Sequence, residues 1–213
     1  MNETDVNVLI AVPTMGDMHV ELVARLLYWQ KKYKAFNPSF YFTDRVTPHD
    51  SARNQIVEYF FNAPVKFTHL LMIDSDTIPP YDALPKLLRH DVPVLSAMVS
   101  IVGYNSKEKK WEFYDNTYQD RETDANGVVT QTNIAIRDTG LQKIFRCGAA
   151  CLLIKREVLE ALKPPYFRFD MNEERTKHTR SEDIYFCDQV RDAGFDIYAE
   201  TDVHCGHFKS IMI

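Results

Sequence analysis

Four short runs dominate the first half of the chain: VNVLIAVP at Val6–Pro13, SFYFTD at Ser39–Asp44, HLLMI at His69–Ile73 and VPVLSAMVS at Val92–Ser100. Strands that are apolar along nearly their whole length are buried on both faces, as in parallel sheets covered by helices. Each run is separated from the next by a segment that can hold a crossover helix, which parallel neighbours require. From Asp17 to about Lys34, Val20, Val23, Ala24 and Leu27 recur at helical spacing and are predicted as the buried face. Asp50 or Ser51 is predicted to cap a helix running through Phe61, with Ala52, Ile56 and Phe60 on one face. Tyr81–His90 predicts a short helix, and Pro93 stands near a strand start, where its missing N–H is tolerated.

The pattern loosens between Gly103 and Arg146. WEFYDNTY and GVVTQTNIAI predict antiparallel strands joined by a polar turn around Asp120–Gly127. CGAACLLIKREVLEAL then predicts a glycine turn, a strand and a helix stopped by Pro164–Pro165. NEERTKHTR reads as a mobile segment before a last helix, capped by Ser181 and ended by Gly194 at its C′ position. The expectation is one α/β domain over residues 1–213, with a mostly parallel central sheet flanked by helices and a smaller antiparallel part in its C-terminal half.

Composition narrows the function classes. A net charge of −5 excludes a general nucleic-acid binder, which neutralises phosphates with excess Lys and Arg. The basic clusters Lys31–Lys34 and Lys107–Lys110 read as solvated faces. No apolar run approaches the roughly 20 residues of a membrane span, and MNETD carries no signal-peptide pattern, so the expected location is cytoplasmic. The apolar ending HFKSIMI suggests a domain cut from a longer protein with further domains. There is no Gly-x-Gly-x-x-Gly, no Walker loop and no His-Glu-x-x-His.

HLLMI runs directly into two acids one residue apart, Asp74 and Asp76. Two carboxylates ending a buried strand are costly without a partner. They suit a hard divalent cation that bridges phosphate oxygens, a phosphatase nucleophile with its acid, or a capped loop start. The phosphatase pattern continues Gly-Thr on a first strand, whereas Thr77-Ile78 follows here on the third. His204 and His207 are candidate nitrogen ligands. Arg53 and Asn54 fall in a first helical turn, where free N–H groups favour phosphate. Gly148 and Ala149 offer either a side-chain-free surface that a ligand could approach or tight packing. Glu182 and Asp183 open the last helix, where the dipole alone favours acids. Adjacent helical residues point about 100° apart, so one of the two faces a reaction centre, and Asp183 is favoured. Cys147, Cys151, Cys205 and His207 form a candidate zinc set, set against buried free thiols.

Besides the Asp-x-Asp of IDSDTIPP, five segments in order carry a resemblance: VLIAVPT at Val8–Thr14, DSARNQIVEYF at Asp50–Phe60, CGAACLLIKREVLEAL, SEDIYFCDQVRDAGF and HCGHF. Together they resemble GT-A fold glycosyltransferases, a Rossmann-like class. The resemblance implies a UDP-hexose donor, a saccharide acceptor and Mn²⁺ or Mg²⁺. It puts Asp76 and His207 on the metal, with Asp74 on the metal through water or on the ribose beside Ser75. By family position, Pro13, Thr14 and Asp44 would line the base, Arg53 and Asn54 face the nucleotide, and Gly148 and Ala149 meet the donor sugar. Asp183, or Glu182, would contact sugar hydroxyls or the nucleophile. Residues 1–100 would be the nucleotide-binding half and 101–213 the acceptor half. The resemblance leans to retention of configuration, and the residues leave both outcomes open. A sugar-nucleotide nucleotidyltransferase would want a basic, Gly-rich signature that PTMGDMH lacks; a non-catalytic sugar-binding module is the third possibility.

Overall fold

The structure is a computed structural model that describes residues 6–105, 108–123, 129–133 and 137–208. Its elements run β1 (Val8–Val12), α1 (Val20–Lys32), β2 (Ser39–Phe42), α2 (His49–Asn62), β3 (His69–Ile73), β4 (Thr77–Ile78), α3 (Ala83–Leu88) and β5 (Val94–Asn105). The second half adds β6 (Lys110–Asp115), β7 (Thr117–Thr123), β8 (Val129–Asn133), β9 (Leu141–Ile144), β10 (Arg146–Cys147), β11 (Cys151–Lys155), α4 (Arg156–Ala161), β12 (Asp170–Met171), β13 (His178–Arg180), α5 (Glu182–Asp192) and β14 (Ile197–His207).

The central sheet has the order β2-β1-β3-β11-β5-β14-β4. β1 pairs in parallel with β2 and β3, and β14 with β5. β11 is antiparallel to both β3 and β5, so β5 regains the direction of β3 and the sheet stays mostly parallel. Residues alternate between two apolar layers. Leu9, Leu70 and Leu152 pack with α2, α4 and α5 residues such as Ile56, Leu159 and Phe186; Ile10, Leu71 and Leu153 pack with Leu22 and Trp29 of α1 and Leu84 of α3. A parallel sheet covered on both faces explains the unbroken apolar runs. Among the described residues no helix is long and apolar enough to cross a membrane.

Several local expectations are corrected. Helix α1 buries Leu22, Leu26 and Trp29, while Val20 and Leu27 are 74% and 62% exposed. The Trp29 stripe prevails because it covers more apolar area and its Nε1–H donates to the Tyr81 carbonyl at 2.8 Å. Neither Asp50 nor Ser51 caps α2, whose N-cap is Pro48; Asp50 lies inside the first turn, accepting the Ser51 N–H at 2.8 Å. Ser181 is the N-cap of α5 but gives its hydroxyl to Asp183 instead of capping a backbone N–H. Gly194 follows α5 with φ +86°, as expected.

The WEFYD stretch does not pair with the GVVTQTN stretch. Because β5 continues past Ser100, β6 folds back along it, with Ser100 opposite Asp115, and β7 pairs with β8 instead. The predicted turn around Asp120–Gly127 lies outside the described residues from 124 on, as do both ends of the GVVTQTNIAI stretch. Where a mobile segment is predicted, β12 and β13 form a short hairpin. Asn172 Oδ1 closes it by accepting the Thr176 and Lys177 N–H groups at 2.8 and 3.0 Å.

Candidate active site

A cavity of ≈ 520 Å³ opens at the carboxyl ends of β1 and β3, beside the first turns of α2 and α5. This edge is where open α/β sheets bind ligands. The Asp-x-Asp turn is closed by the Thr77 N–H donating to the Asp74 carbonyl at 2.9 Å. The chain leaves it as β4, whose Thr77 stands opposite His207 of β14. After a register shift between Glu200 and His204, β14 pairs with β5 again at His204 and Cys205 and with β4 at Gly206 and His207. The Phe208 N–H then donates to the Asp76 carbonyl at 2.9 Å. Strand pairing therefore sets Asp76 beside His207, two residues far apart in the sequence.

His207 Nε2 lies 3.3 Å from Asp76 Oδ2. Its Nδ1 is 2.9 Å from the Ser100 carbonyl, an acceptor only, so Nδ1 carries the proton. In the neutral ring, Nε2 then presents its lone pair to a carboxylate. Two acceptors so close need a cation or a proton between them, and an imidazole oriented through its other nitrogen is the usual arrangement of a metal ligand. His204, the reserve candidate, points elsewhere, with Nε2 2.6 Å from the Thr201 carbonyl.

Asp74 and Asp76, Glu182 and Asp183 all line the cavity, and among the described residues Arg53 is the one guanidinium or ammonium group in that lining. This surplus of carboxylates favours a divalent cation. Among the described residues no group of three or more His, Cys, Asp or Glu forms a ready cation cage. The residues present fit Mn²⁺ or Mg²⁺ held by one or two side chains with substrate phosphates completing the shell. The zinc reading fails here: Cys147 lies in the core layer of α2 and α5, while Cys151 and Cys205 lie in the layer across the sheet.

Arg53 sits in α2 one turn after its start, 3% exposed. Its Nη2 donates to Asp74 Oδ1 at 2.9 Å, its Nε to Glu182 Oε1 at 3.4 Å and its Nη1 to the Ala149 carbonyl at 3.4 Å. Burial alone would lower its pKa, yet the carboxylates of Asp74, Glu182 and Asp183 hold it above the usual arginine value. Burial first, and then Asp183, raise Glu182 above the usual glutamate range against the lowering effect of Arg53. Glu182 is thus turned into the protein, while Asp183, one residue on, is held by Ser181 and accepts the Ile184 N–H at 2.7 Å.

The remaining expected residues divide. Pro13, Ser75, Gly148 and Ala149 line the cavity. Thr14 and Asp44 are not in that lining: Thr14 is tied to Thr43, Gly16 and Asp17, and Asp44 is exposed beyond β2. Asn54 is also outside it, with its amide bonded to the carbonyls of Asp50 and Phe167 and its Oδ1 to the Tyr166 N–H. Gly148 does not present open space. A Cβ there would meet Asn116 Nδ2 at 2.6 Å.

Asn116, Tyr118 and His49 line the cavity without having been singled out from sequence. Only the spacing of Tyr114, Asn116 and Tyr118 by two hints at a shared strand face.

No protein-family model and no curated protein matches this chain. Solved structures share its fold. A197 from STIV superposes with a TM-score of 0.63 at 17% identity, over 96% of this chain and 87% of that one. The catalytic domain of Drosophila beta1,4-galactosyltransferase 7, solved with xylobiose, gives 0.53 at 15% identity over 96% and 71%. GalNAc-T7 with UDP, GalNAc and Mn²⁺ gives 0.55 at 10% identity over 97% of this chain, which spans 44% of that longer one. The chain therefore has a GT-A-like fold.

Proposed function

We propose that this chain is a metal-dependent glycosyltransferase that moves a hexose from a UDP-linked donor to a saccharide or glycoprotein glycan, with retention of configuration. The observation that carries this reading is the Asp76–His207 pair, 3.3 Å apart, in an acid-rich cavity at the sheet's carboxyl edge. A GT-A-like fold does not by itself fix an activity, and the site chemistry supplies the rest.

Asp76 and His207 would hold Mn²⁺ or Mg²⁺, which when bound offsets the charge that grows on the leaving diphosphate. Arg53 keeps Asp74 aligned at the strand end, where its carboxylate would hold the ribose or help to hold the metal. Asp183 faces the sugar and orients a hydroxyl, while Glu182 backs it by fixing Arg53. Pro13, with Thr14 and Asp44 beyond it, would border the base. We further place the chain in the cytoplasm. By resemblance to the amino-terminal glycosyltransferase domain of a large chlorella virus protein, that is a host cytoplasm.

A thermal-shift panel of nucleotide sugars, with and without Mn²⁺, tests this reading. UDP-hexoses should raise the melting temperature only with the metal, a ligand at 100 times its Kd adding about 2.7 kcal/mol. Failure of every UDP-sugar to stabilise the protein in Mn²⁺ would contradict it.

A further inference from the structure

β6 gives way to β7 at Asn116, whose backbone is fixed on both sides. Its N–H donates to the Val99 carbonyl at 3.1 Å, and its carbonyl accepts the Gly148 N–H at 2.8 Å. The residue is 3% exposed and lines the cavity, yet its Oδ1 has no hydrogen-bond partner among the described residues. A buried carbonyl oxygen left unpaired costs about 1–3 kcal/mol. Such a cost is retained where a partner arrives from outside, and the cavity is the open side of this residue. Oδ1 is itself buried, so a donor in the cavity would meet it after rotation of the carboxamide about its Cβ–Cγ bond, which moves neither backbone bond.

Two residues on, Tyr118 lines the same cavity. Burial, followed by the nearby Asp183 and Tyr114, raises its phenol above the usual range, so it is a neutral ring with an O–H donor. An aromatic ring, an amide acceptor and the Asp183 carboxylate lining one cavity match the mixed surface of a pyranose, apolar on its C–H face and hydroxylated at its rim.

We propose that Asn116 and Tyr118 form a sugar-hydroxyl site beside Asp183, with Asn116 Oδ1 accepting one hydroxyl of the donor hexose or of the saccharide acceptor. This rests on the glycosyltransferase reading and adds to it residues that select the sugar. The site explains why position 148 is glycine: the Asn116 amide occupies the space a side chain would take.

The test is calorimetric titration of Asn116→Leu, close in size, and Tyr118→Leu, each against the unaltered protein in Mn²⁺. UDP, UDP-glucose, UDP-galactose and, on the UDP-loaded protein, lactose are the probes. Binding of UDP should be unchanged in both variants, while binding of a UDP-hexose or of lactose falls about tenfold, the effect of leaving one polar group unpaired. Loss in the UDP-hexose arm alone assigns the hydroxyl to the donor, and loss in the lactose arm alone assigns it to the acceptor. Equal weakening of UDP and of every sugar ligand, or no weakening at all, overturns the site, as does an unaltered protein that binds UDP but gains nothing from any sugar. An unaltered protein that fails to bind UDP in Mn²⁺ overturns the glycosyltransferase reading itself, and this site with it.

Discussion

His207 and Asp76 meet through a single strand pairing: Thr77, next to Asp76, stands opposite His207, and the imidazole Nε2 faces the carboxylate at 3.3 Å while Nδ1 donates to the Ser100 carbonyl. The ring orientation is therefore set by backbone. His207→Gln should weaken Mn²⁺-dependent nucleotide binding by at least the ~10–100-fold that loss of an outer-shell partner costs. His204→Gln, which removes a ring bonded to the Thr201 carbonyl, should leave it unchanged. Paired titrations of the two variants check this.

Arg53 holds Asp74 and Glu182 together with its side chain 4% exposed. Arg53→Met leaves two carboxylates near each other without their cation, so chemical denaturation should show a loss of about 3–5 kcal/mol. Arg53→Lys should recover only part of it, because one ammonium does not span the directions that Nε, Nη1 and Nη2 reach. A loss below about 1 kcal/mol for Arg53→Met, the ceiling for an ordinary surface pair, would mean that the carboxylates do not depend on Arg53.

His69, at the opposite end of β3 from the site, is 5% exposed, with Nδ1 2.9 Å from Thr68 Oγ1. Burial, helped by Lys155 and opposed by Asp91, pushes its pKa down from 6.5 to about 4. The unfolded chain then binds more protons than the folded one between those values, so stability is present above pH 6.5 and lost as pH falls toward 4. Each tenfold difference in proton affinity between the two states is worth about 1.4 kcal/mol, which makes the full loss roughly 3 kcal/mol. Urea midpoints at about pH 7 and pH 4.5, either side of most of this titration, should converge in His69→Gln relative to the unaltered chain.

Gly148→Ala places a Cβ 2.6 Å from Asn116 Nδ2, below any normal contact. The amide must move into the cavity, so the variant should bind UDP-hexoses more weakly than UDP, with a stability loss of about 1–3 kcal/mol. Melting curves and titration together separate these effects.

The first half of the fold was legible because parallel strands buried on both faces leave unbroken apolar runs; β3 has the bounds read from HLLMI. The α1 face was not, since Leu22, Leu26 and Trp29 compete with Val20 and Leu27 at the same helical period, and the Tyr81 carbonyl that receives Trp29 Nε1–H, which helps to decide between them, is supplied by a distant part of the chain. Pairing in the antiparallel part also escaped the sequence. Alternation marks WEFYD as a strand but not β5 as its partner. The acids of the site could be read from their strand-end and helix-start positions. Asn116 could not, because its importance lies in an unpaired oxygen that exists only once Val99 and Gly148 have fixed its backbone.

The metal-dependent reading stands or falls with Asp76. Calorimetric titration of UDP into the unaltered chain and into Asp76→Asn, each with Mn²⁺ and with chelator, measures it directly. With Asp76 on the metal, UDP should bind the unaltered chain only when Mn²⁺ is present, and Asp76→Asn should weaken that binding by about 100-fold or more, beyond the outer-shell range. Equal UDP affinity in the two proteins, or binding indifferent to the chelator, would contradict it.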